Sequence, residues 1–289
     1  MLEIILQYIV DGLMVGTTYA LVGIGLTMIF GMMDIINFAH GELYMIGAVV
    51  AYYLTSTLEL DFYSSLALTI LITFAFGVLL ERILMRRIRN APHAMTAAVT
   101  IGLSMFLSNS VYLVMGPIPH AIPAPFALKA INIGPILLTQ SRIFAAVVTV
   151  LTILATNYLI KYTKLGRAIR ATIQDRMAAS LVGINTNTIY SFGFAYGTAL
   201  AALAGVLLGA MFVITPFMGE AMTNKAWIVV ILGGLGNIPG AIFAALLIGV
   251  TESLTAGFWN SSWANLVSFI IVVIVLLIKP QGLFGKASK

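Results

Sequence analysis

The sequence contains no cysteine and very few charged residues. Of its 289 residues only 9% are charged, whereas soluble domains carry roughly 25%. A chain with so little charge has no means of building a water-facing surface of ordinary composition. The absence of cysteine excludes disulfides, thiol chemistry and cysteine ligands for a metal.

Long hydrophobic runs take the place of the missing charges, since 61% of the residues are hydrophobic. Stretches of about 20 apolar residues recur along the chain, and each is long enough to cross a hydrocarbon core. Every backbone polar group in lipid needs an internal partner, so these stretches are predicted to be helices. The 26 glycines agree, because small residues let membrane helices approach closely. The predicted spans are 4–30, 35–57, 62–84, 93–115, 142–160, 188–214, a broken region at 225–255, and 263–279.

The predicted fold is an all-α, polytopic transmembrane bundle of about eight to nine crossings, forming one domain over residues 1–289. No Lys or Arg precedes Arg82, so a cleavable signal peptide with its basic start is not expected. Three spans before Arg82 would put residue 1 outside the cell. The first span could instead break near Gly23 and Gly25, so the side of the N-terminus stays open.

Most of the 15 basic residues lie in three clusters, at 82–89, 161–176 and 279–289. The positive-inside rule predicts that all three, and with them the C-terminus, are cytoplasmic. An even number of crossings must then separate the last two clusters, but a single helix at 225–255 would give an odd number. Glycine and proline are poor in a helix interior, so the run at 233–240 is predicted to be a turn between a short segment at 225–233 and a helix at 239–255. The clusters comprise Arg82, Arg86, Arg87 and Arg89; Lys161, Lys164, Arg167, Arg170 and Arg176; and Lys279, Lys286 and Lys289.

The predicted cytoplasmic loop 161–187 contains an amphipathic segment. Ile169, Ile173, Met177 and Leu181 recur every four residues and form an apolar stripe on a predicted helix at 167–182. Three interpretations are open on the pattern alone. The helix lies on lipid headgroups, packs on its own bundle, or docks in a groove of a partner protein.

Two further segments interrupt the apolar runs. Residues 34–42 place ionisable groups inside a predicted span, where such groups are costly and often functional. A helix start there would offer free amides beside a solute path; alternatively, Asn37 caps the helix and His40 pairs with a backbone carbonyl. The glycine run 233–240 either exposes backbone groups to a cavity near the midplane, as in other transporters, or forms a tight helix contact.

Several function classes lack their motifs in this sequence. His-Glu-x-x-His and Gly-x-Ser-x-Gly are absent, and the three histidines are scattered, so neither an intramembrane enzyme nor a metal site is expected. Gly285-Lys286 is not a phosphate loop, because Ala287 replaces the required Ser or Thr. A secondary transporter or channel is the rival class, but it uses several intramembrane ionisable residues. Here they are few, and Asp11 and Glu252 are expected to pair with polar groups of the bundle.

Three ordered motifs resemble the branched-chain amino acid type of ATP-binding-cassette permease. They are Asn37-Phe38-Ala39-His40-Gly41-Glu42, then Gly166-Arg167-Ala168-Ile169-Arg170-Ala171 with Asp175, Ala178-Ala179 and Gly183-Ile184-Asn185, and finally Gly233-Gly234-Leu235-Gly236-Asn237-Ile238-Pro239-Gly240. The resemblance covers nearly the whole chain, and the chain length suits the shorter of the two paired permeases. It implies a second related permease, two cytoplasmic ATPase subunits that hold ATP and Mg²⁺, an external solute-binding protein, and a bacterial or archaeal inner membrane. This chain itself is expected to bind no cofactor.

The same resemblance gives expected roles to individual residues in import by alternating access. Coupling to the ATPase is expected of Gly166, Arg167, Arg170, Asp175, Ala178, Ala179, Gly183 and Ile184. The substrate path is expected to include Asn37, His40, Gly41, Glu42, Gly233, Gly234, Gly236, Asn237, Pro239 and Gly240. The external loop 116–141, with five of the nine prolines, is either a docking site for the binding protein or a rigid connector. Branched-chain amino acids are the expected cargo, with urea, short amides or a sugar as alternatives.

Overall fold

The chain forms a bundle of long helices in a computed structural model, which describes residues 1–126, 129–134 and 136–285. Pro135 of the proline-rich loop, and Lys286 and Lys289 of the last basic cluster, lie outside these residues. The elements are α1 (Leu2–Met33), α2 (His40–Ser56), α3 (Phe62–Leu80), a π-helical turn (Glu81–Met85), α4 (Arg86–Ile88), α5 (His93–Met115), β1 (Ala130–Ile133), β2 (Ile136–Thr139), α6 (Gln140–Tyr162), α7 (Lys164–Gln174), α8 (Arg176–Leu181), α9 (Thr186–Gly209), α10 (Met218–Gly233), α11 (Ile238–Phe258) and α12 (Ser261–Ile278).

Seven helical spans in the described residues are long and apolar enough to cross a membrane. They are α1, α3 with its π-helical and α4 extension, α5, α6, α9, α11 and α12. Helices α2 and α10, with 17 and 16 residues, are shorter than the roughly 20 residues that a full crossing needs. The predicted all-α polytopic bundle is confirmed, and the only strands in the described part of the chain, β1 and β2, form one antiparallel hairpin.

The described residues of all three basic clusters lie at one end of the bundle, which we call the basic end (residues 82–90, 161–187, 234–237 and 279–285). Arg89 donates to Asn187 at 2.6 Å, and Arg176 donates to Asn90 at 3.1 Å. Both guanidinium groups lie over the ring of Tyr190, at 5.2 and 5.5 Å from its centre. These contacts join the first two clusters.

The third cluster reaches the basic end through the turn between α10 and α11. Leu283 and Phe284 donate main-chain hydrogen bonds to the carbonyls of Leu232 and Gly233, at 2.8 and 3.3 Å. The predicted turn within 233–240 is therefore confirmed. It gives the even number of passes between 161–176 and Lys279 that the charge distribution requires.

The opposite end of the bundle, the hairpin end, holds residues 1–8, 57–61, 116–126, 129–134, 136–139, 210–217 and 259–260. Gln7 of α1 exchanges two hydrogen bonds of 2.9 Å with the main chain of Leu137 in β2. Helix α1 is continuous through Gly23 and Gly25, so the break considered there is absent. The N-terminus accordingly lies at the end opposite the basic clusters.

Helix α9 forms the centre of the bundle and is the most buried of the seven long spans, with 89% of an 18-residue stretch of it buried. Glycines set its distance from α2. A Cβ added to Gly47 would lie 2.4 Å from the Cα of Ala202, and one added to Gly205 would lie 2.0 Å from the carbonyl oxygen of Tyr44. No side chain fits in either place, so backbone contact between the two helices depends on glycine.

Replacing Gly47 with Ala is expected to destabilise the protein by about 1–3 kcal/mol, because the methyl group forces α2 away from α9. The matched control is Gly102→Ala on α5, where an added Cβ meets nothing within 4 Å. Thermal unfolding of the purified variants in detergent measures the difference. Equal melting temperatures for the two variants would contradict the packing described here.

Candidate functional site

Helix α2 begins inside the bundle rather than at its end. After α1, residues 34–39 return beside it along a non-helical path. The first residue of α2, His40, donates from Nε2 to the carbonyl of Val22 at 3.1 Å. Glu42 accepts a hydrogen bond of 3.0 Å from Ser104, which lies in the middle of α5. The start of α2 is therefore at mid-height of the neighbouring helices.

Helix α10 begins at the same level. A Cβ added to Gly219, the second residue of α10, would lie 2.3 Å from Oε2 of Glu42. One turn further, the hydroxyl of Thr223 accepts a hydrogen bond of 3.0 Å from the amide of Gly41. The residues that precede the two helices, Ala39 and Phe217, provide no side-chain cap of their own. Two helix N-termini, each with a partial positive charge, thus converge inside an apolar bundle.

Side chains pair the backbone of the non-helical segment before α2. The hydroxyl of Thr100 accepts from the amide of Phe38 at 3.2 Å and donates to the carbonyl of Ile36 at 2.9 Å. Oδ1 of Asn37 accepts from the amide of Ala39 at 3.1 Å. Non-helical backbone at membrane depth requires such partners, because lipid offers none.

A cavity of about 290 Å³ lies between the starts of α2 and α10 and one face of α5. Glu42, which lines it, is 1% exposed, and its Oε2 has no hydrogen-bond partner among the described residues. A buried carboxylate without a full set of partners is costly, so the site favours a positively charged ligand group. The residues that line the cavity are Phe38, Glu42, Ile101, Ser104, Met105, Ser108, Phe217, Glu220, Thr223 and Asn224.

Glu42 alone among the expected path residues lines this cavity. Asn37 and Gly41 instead hold the backbone at the start of α2. His40 faces α1, where its ring pairs with the Val22 carbonyl, so the structural alternative considered for His40 is the one observed. Its place on the substrate path stays a prediction.

The glycine run 233–240 lies at the basic end and not beside residues 37–42. Gly234 and Gly236 adopt φ values of 101° and 77°, a backbone region that favours glycine, and form the turn. Asn237 caps α11 by accepting from the amide of Gly240 at 3.0 Å, and its side chain donates to Phe284 at 2.7 Å. The run therefore forms a turn at the basic end, and the place of its residues on the substrate path stays a prediction. Its six expected path residues, Gly233, Gly234, Gly236, Asn237, Pro239 and Gly240, belong to a terminal turn.

The cavity contains polar residues that sequence reasoning missed. Ser104 and Ser108 are four apart on α5, and Glu220 and Asn224 are four apart on α10, so each pair shares one helix face. The spacing of four residues was the sequence signal from which a polar helix face could have been predicted. It was missed on α10 because residues 218–224 were assigned to the connection before the broken region.

A partly buried network anchors the other side of α10. Nζ of Lys225 donates to Glu252 of α11 at 2.5 Å and to Asn265 of α12 at 3.2 Å. Glu252 also accepts hydrogen bonds from Tyr19 of α1 at 3.1 Å and Ser268 of α12 at 2.9 Å. The predicted pairing of Glu252 within the bundle is confirmed. The network fixes α10 to three helices.

Asp11 follows the same pattern near the hairpin end. Its carboxylate forms an ion pair with Arg142 at the start of α6 and accepts a hydrogen bond of 3.1 Å from Gln7. The predicted pairing of Asp11 is also confirmed. Both acidic residues therefore stabilise helix contacts in the bundle.

The amphipathic segment at the basic end is two helices and not the single predicted helix. Asp175 lies between α7 and α8 with an extended backbone, and its carboxylate caps α8 by accepting from the amides of Met177 and Ala178 at 2.8 and 2.9 Å. Gly183 follows α8 with φ 87°, a conformation in which glycine commonly ends a helix. The buried Ala179 packs α8 onto the bundle.

The break at Asp175 also divides the predicted apolar stripe. Ile169 is 2% exposed and faces the bundle, while Met177 is 74% and Leu181 is 82% exposed. Ile173 and Val182 are also exposed. The unpartnered part of the stripe therefore runs from the end of α7 along α8.

The junction between α6 and α7 is tightly closed. A Cβ added to Gly166 would lie 2.2 Å from the carbonyl oxygen of Leu159, so only glycine fits there. The hydroxyl of Thr163 caps α7 by accepting from the Gly166 amide at 3.0 Å. Arg170 donates to the carbonyl of Ile160, which turns its guanidinium toward its own chain, whereas Arg167 is exposed.

These features define the class of the protein: a multi-pass helical membrane protein with helix starts inside the bundle, as transporters have. The described residues contain no group of three or more His, Cys, Asp or Glu that could hold a metal. The chain matches the family of permease components of branched-chain amino acid transport systems over residues 8–276. It belongs to that family, whose members are transport subunits and not enzymes.

Curated relatives agree over nearly the full length. The chain is 37% identical over 295 residues to the high-affinity branched-chain amino acid transport system permease protein LivH of Salmonella typhimurium, covering 97% of this chain and 96% of that protein. It is 38% identical over 294 residues to BraD of Pseudomonas aeruginosa, with the same coverage. Identity to the permease protein LivM of Escherichia coli is 26% over 294 residues, covering 92% of this chain and 67% of LivM. No solved structure matches this chain.

Replacing Lys225 with Met is expected to destabilise the protein by about 1–3 kcal/mol, because the substitution leaves the partly buried carboxylate of Glu252 without its cation. Adding Glu252→Gln should restore most of that loss. Melting temperatures in detergent measure both effects, with Lys129→Met, at an exposed position of the hairpin end, as the control. A double variant no more stable than Lys225→Met would refute the pairing.

Proposed function

We propose that this chain, as one permease domain over residues 1–289, is the shorter of two related permeases in an ATP-driven importer of branched-chain amino acids. Two cytoplasmic ATPase subunits supply the energy, and an external solute-binding protein delivers the cargo. The protein lies in the bacterial or archaeal inner membrane with its basic end, and so its C-terminus, in the cytoplasm.

Near full-length likeness to named permeases is the observation that carries this proposal. Relatives named as high-affinity branched-chain amino acid permeases are 37–38% identical over 97% of the chain. The weaker likeness to LivM, which exceeds this chain in length, supports a hetero-dimer of a shorter and a longer permease.

Helices α7 and α8 form the coupling segment in this proposal. The exposed side chains of Ile173, Met177, Leu181 and Val182 form an apolar surface that lies among basic residues. Such a surface at the end of a membrane bundle suits the groove of a partner protein. Arg167 is free to make charge-assisted contacts at its edge, while Gly166, Asp175, Ala179 and Gly183 shape the segment.

Movement of this segment would pass directly to a membrane span. The junction formed by Gly166, Thr163 and Arg170 joins α7 closely to α6, and Arg176 joins α8 to the end of the α3 span through Asn90. Closure of the ATPase dimer then pulls α6 and α3 together with the coupling segment. This is the mechanical step of alternating access.

Replacing Leu181 with Gln is expected to uncouple the importer, since it removes apolar area from the proposed ATPase contact. Vesicles that contain the reconstituted complex should lose most ATP-dependent leucine uptake, while ATP hydrolysis no longer responds to the loaded binding protein. Leu58→Gln, at a site 63% exposed at the hairpin end, is the control. A panel of labelled amino acids, urea and short amides distinguishes the cargo alternatives, and uptake that persists without ATPase subunits would favour secondary transport.

The absence of cysteine allows a direct test of orientation. A cysteine introduced for Met177 should react with a membrane-impermeant maleimide only in inside-out vesicles. A cysteine introduced for Leu58 should react only in right-side-out vesicles. Mass spectrometry of this chain reads out the modification, and labelling of residue 177 from outside would overturn both the orientation and the coupling role.

A further inference from the structure

The cavity between α2, α5 and α10 combines groups of opposite charge in a way that neither the family nor its relatives' names specify. Its negative part consists of the carboxylate of Glu42 and that of Glu220, which lies at the start of α10. Its positive part is the N-terminus of α10, which no side chain caps. Gly219 brings the two parts together, because its missing side chain leaves room for the Glu42 carboxylate against the helix.

We propose that this cavity is the amino-acid subsite of the permease, in which Glu42 and Glu220 bind the α-ammonium group of the cargo and the start of α10 binds its α-carboxylate. The inference rests on the proposed function and adds the chemical basis of selection. A zwitterion places one charge on each part of the cavity. An amine or a carboxylic acid of the same shape satisfies only one part.

The Glu42 side chain is suited to bind the ammonium group of the cargo. Oε1 accepts from Ser104 at 3.0 Å, while Oε2 is buried without a partner among the described residues. An ammonium has three donors on a single centre, so it can reach Glu42 and Glu220 together. Hydrogen bonds between such charged groups are roughly twice as strong as those between neutral ones.

The start of α10 is suited to bind the carboxylate group of the cargo. The amides of a first helical turn point out of the helix without intrahelical partners, and the helix dipole favours an anion there. Phe38, Met105 and Phe217 provide an apolar wall of the same cavity. That wall suits an aliphatic side chain and gives a sugar or urea no advantage.

The chain's lack of cysteine makes the charge of the cavity measurable in the reconstituted complex. Met105 lines the cavity and is 62% exposed, so Met105→Cys can be probed with methanethiosulfonates that carry either a trimethylammonium or a sulfonate group. One charge about 4 Å away contributes about 1 kcal/mol even in water, so the cationic reagent should react at least about fivefold faster. Leu113→Cys, 84% exposed on the same helix but outside the cavity, is the matched control, and the fivefold preference is counted beyond the ratio of rates that the two reagents show there.

Cargo protection and carboxylate substitutions complete the test. Leucine should slow modification of Met105→Cys, whereas 3-methylbutylamine and 4-methylpentanoate at the same concentration should not. Glu42→Gln should abolish both the charge preference and the protection. Glu220→Gln, at an exposed site that cannot disturb folding of the interior, should reduce both, and Glu3→Gln at the hairpin end should change neither.

The outcomes separate this inference from the proposed function. Equal reagent rates at Met105→Cys, or equal protection by leucine and the amine, would overturn the subsite even if the complex imports leucine. A complex that imports another amino acid but no branched-chain one would overturn the proposed cargo. A preserved charge preference, with protection by that other amino acid, would still support the subsite.

Discussion

Backbone amides need partners in lipid, yet this chain begins two helices inside the bundle. The organisation around α2 and α10 follows from that constraint. Thr100 and Asn37 pair the exposed backbone before α2, and Thr223 joins the two helix starts. The amides at the start of α10 have no side-chain cap. The fold thereby places polar main-chain groups at membrane depth beside a carboxylate and the polar side chains of α5 and α10.

Close helix crossings hold this arrangement in place. Helix α9 contacts α1, α2 and α3 through glycine and alanine, and α1 contacts α11 in the same way at Gly12 and Gly249. On the far side of α10, Lys225 and Glu252 fix the helix to its neighbours. The interior is closely packed where backbones meet, whereas α7 and α8 present apolar side chains to the surroundings. This division suits a protein whose moving contacts lie at its ends.

Hydropathy and charge predicted the long helices, the common end of the basic clusters and the turn at 233–240. These features could be predicted because, in a membrane, each is determined by a short stretch of sequence. The cavity could not be predicted in that way. It depends on Gly219 meeting Glu42 across about 180 residues of chain, and hydropathy does not report such contacts. His40 shows the same limit: an intramembrane histidine predicts a polar partner, but only the packed structure identifies a carbonyl of α1. The prediction of a single coupling helix was wrong for a local reason, because Asp175 interrupts it and caps a new helix.

The proline-rich loop after α5 is tied to the chain that leads into α10. His120 and Ile214 exchange two main-chain hydrogen bonds, of 3.0 and 2.7 Å, only a few residues before α10 begins. A protein that displaces this loop must either carry the α10 entry segment with it or break both bonds, each worth about 1 kcal/mol. A pull at the hairpin end therefore acts on the helix that carries Glu220. The two hydrogen bonds between His120 and Ile214 thus connect a contact made at the membrane surface to the start of α10 inside the bundle.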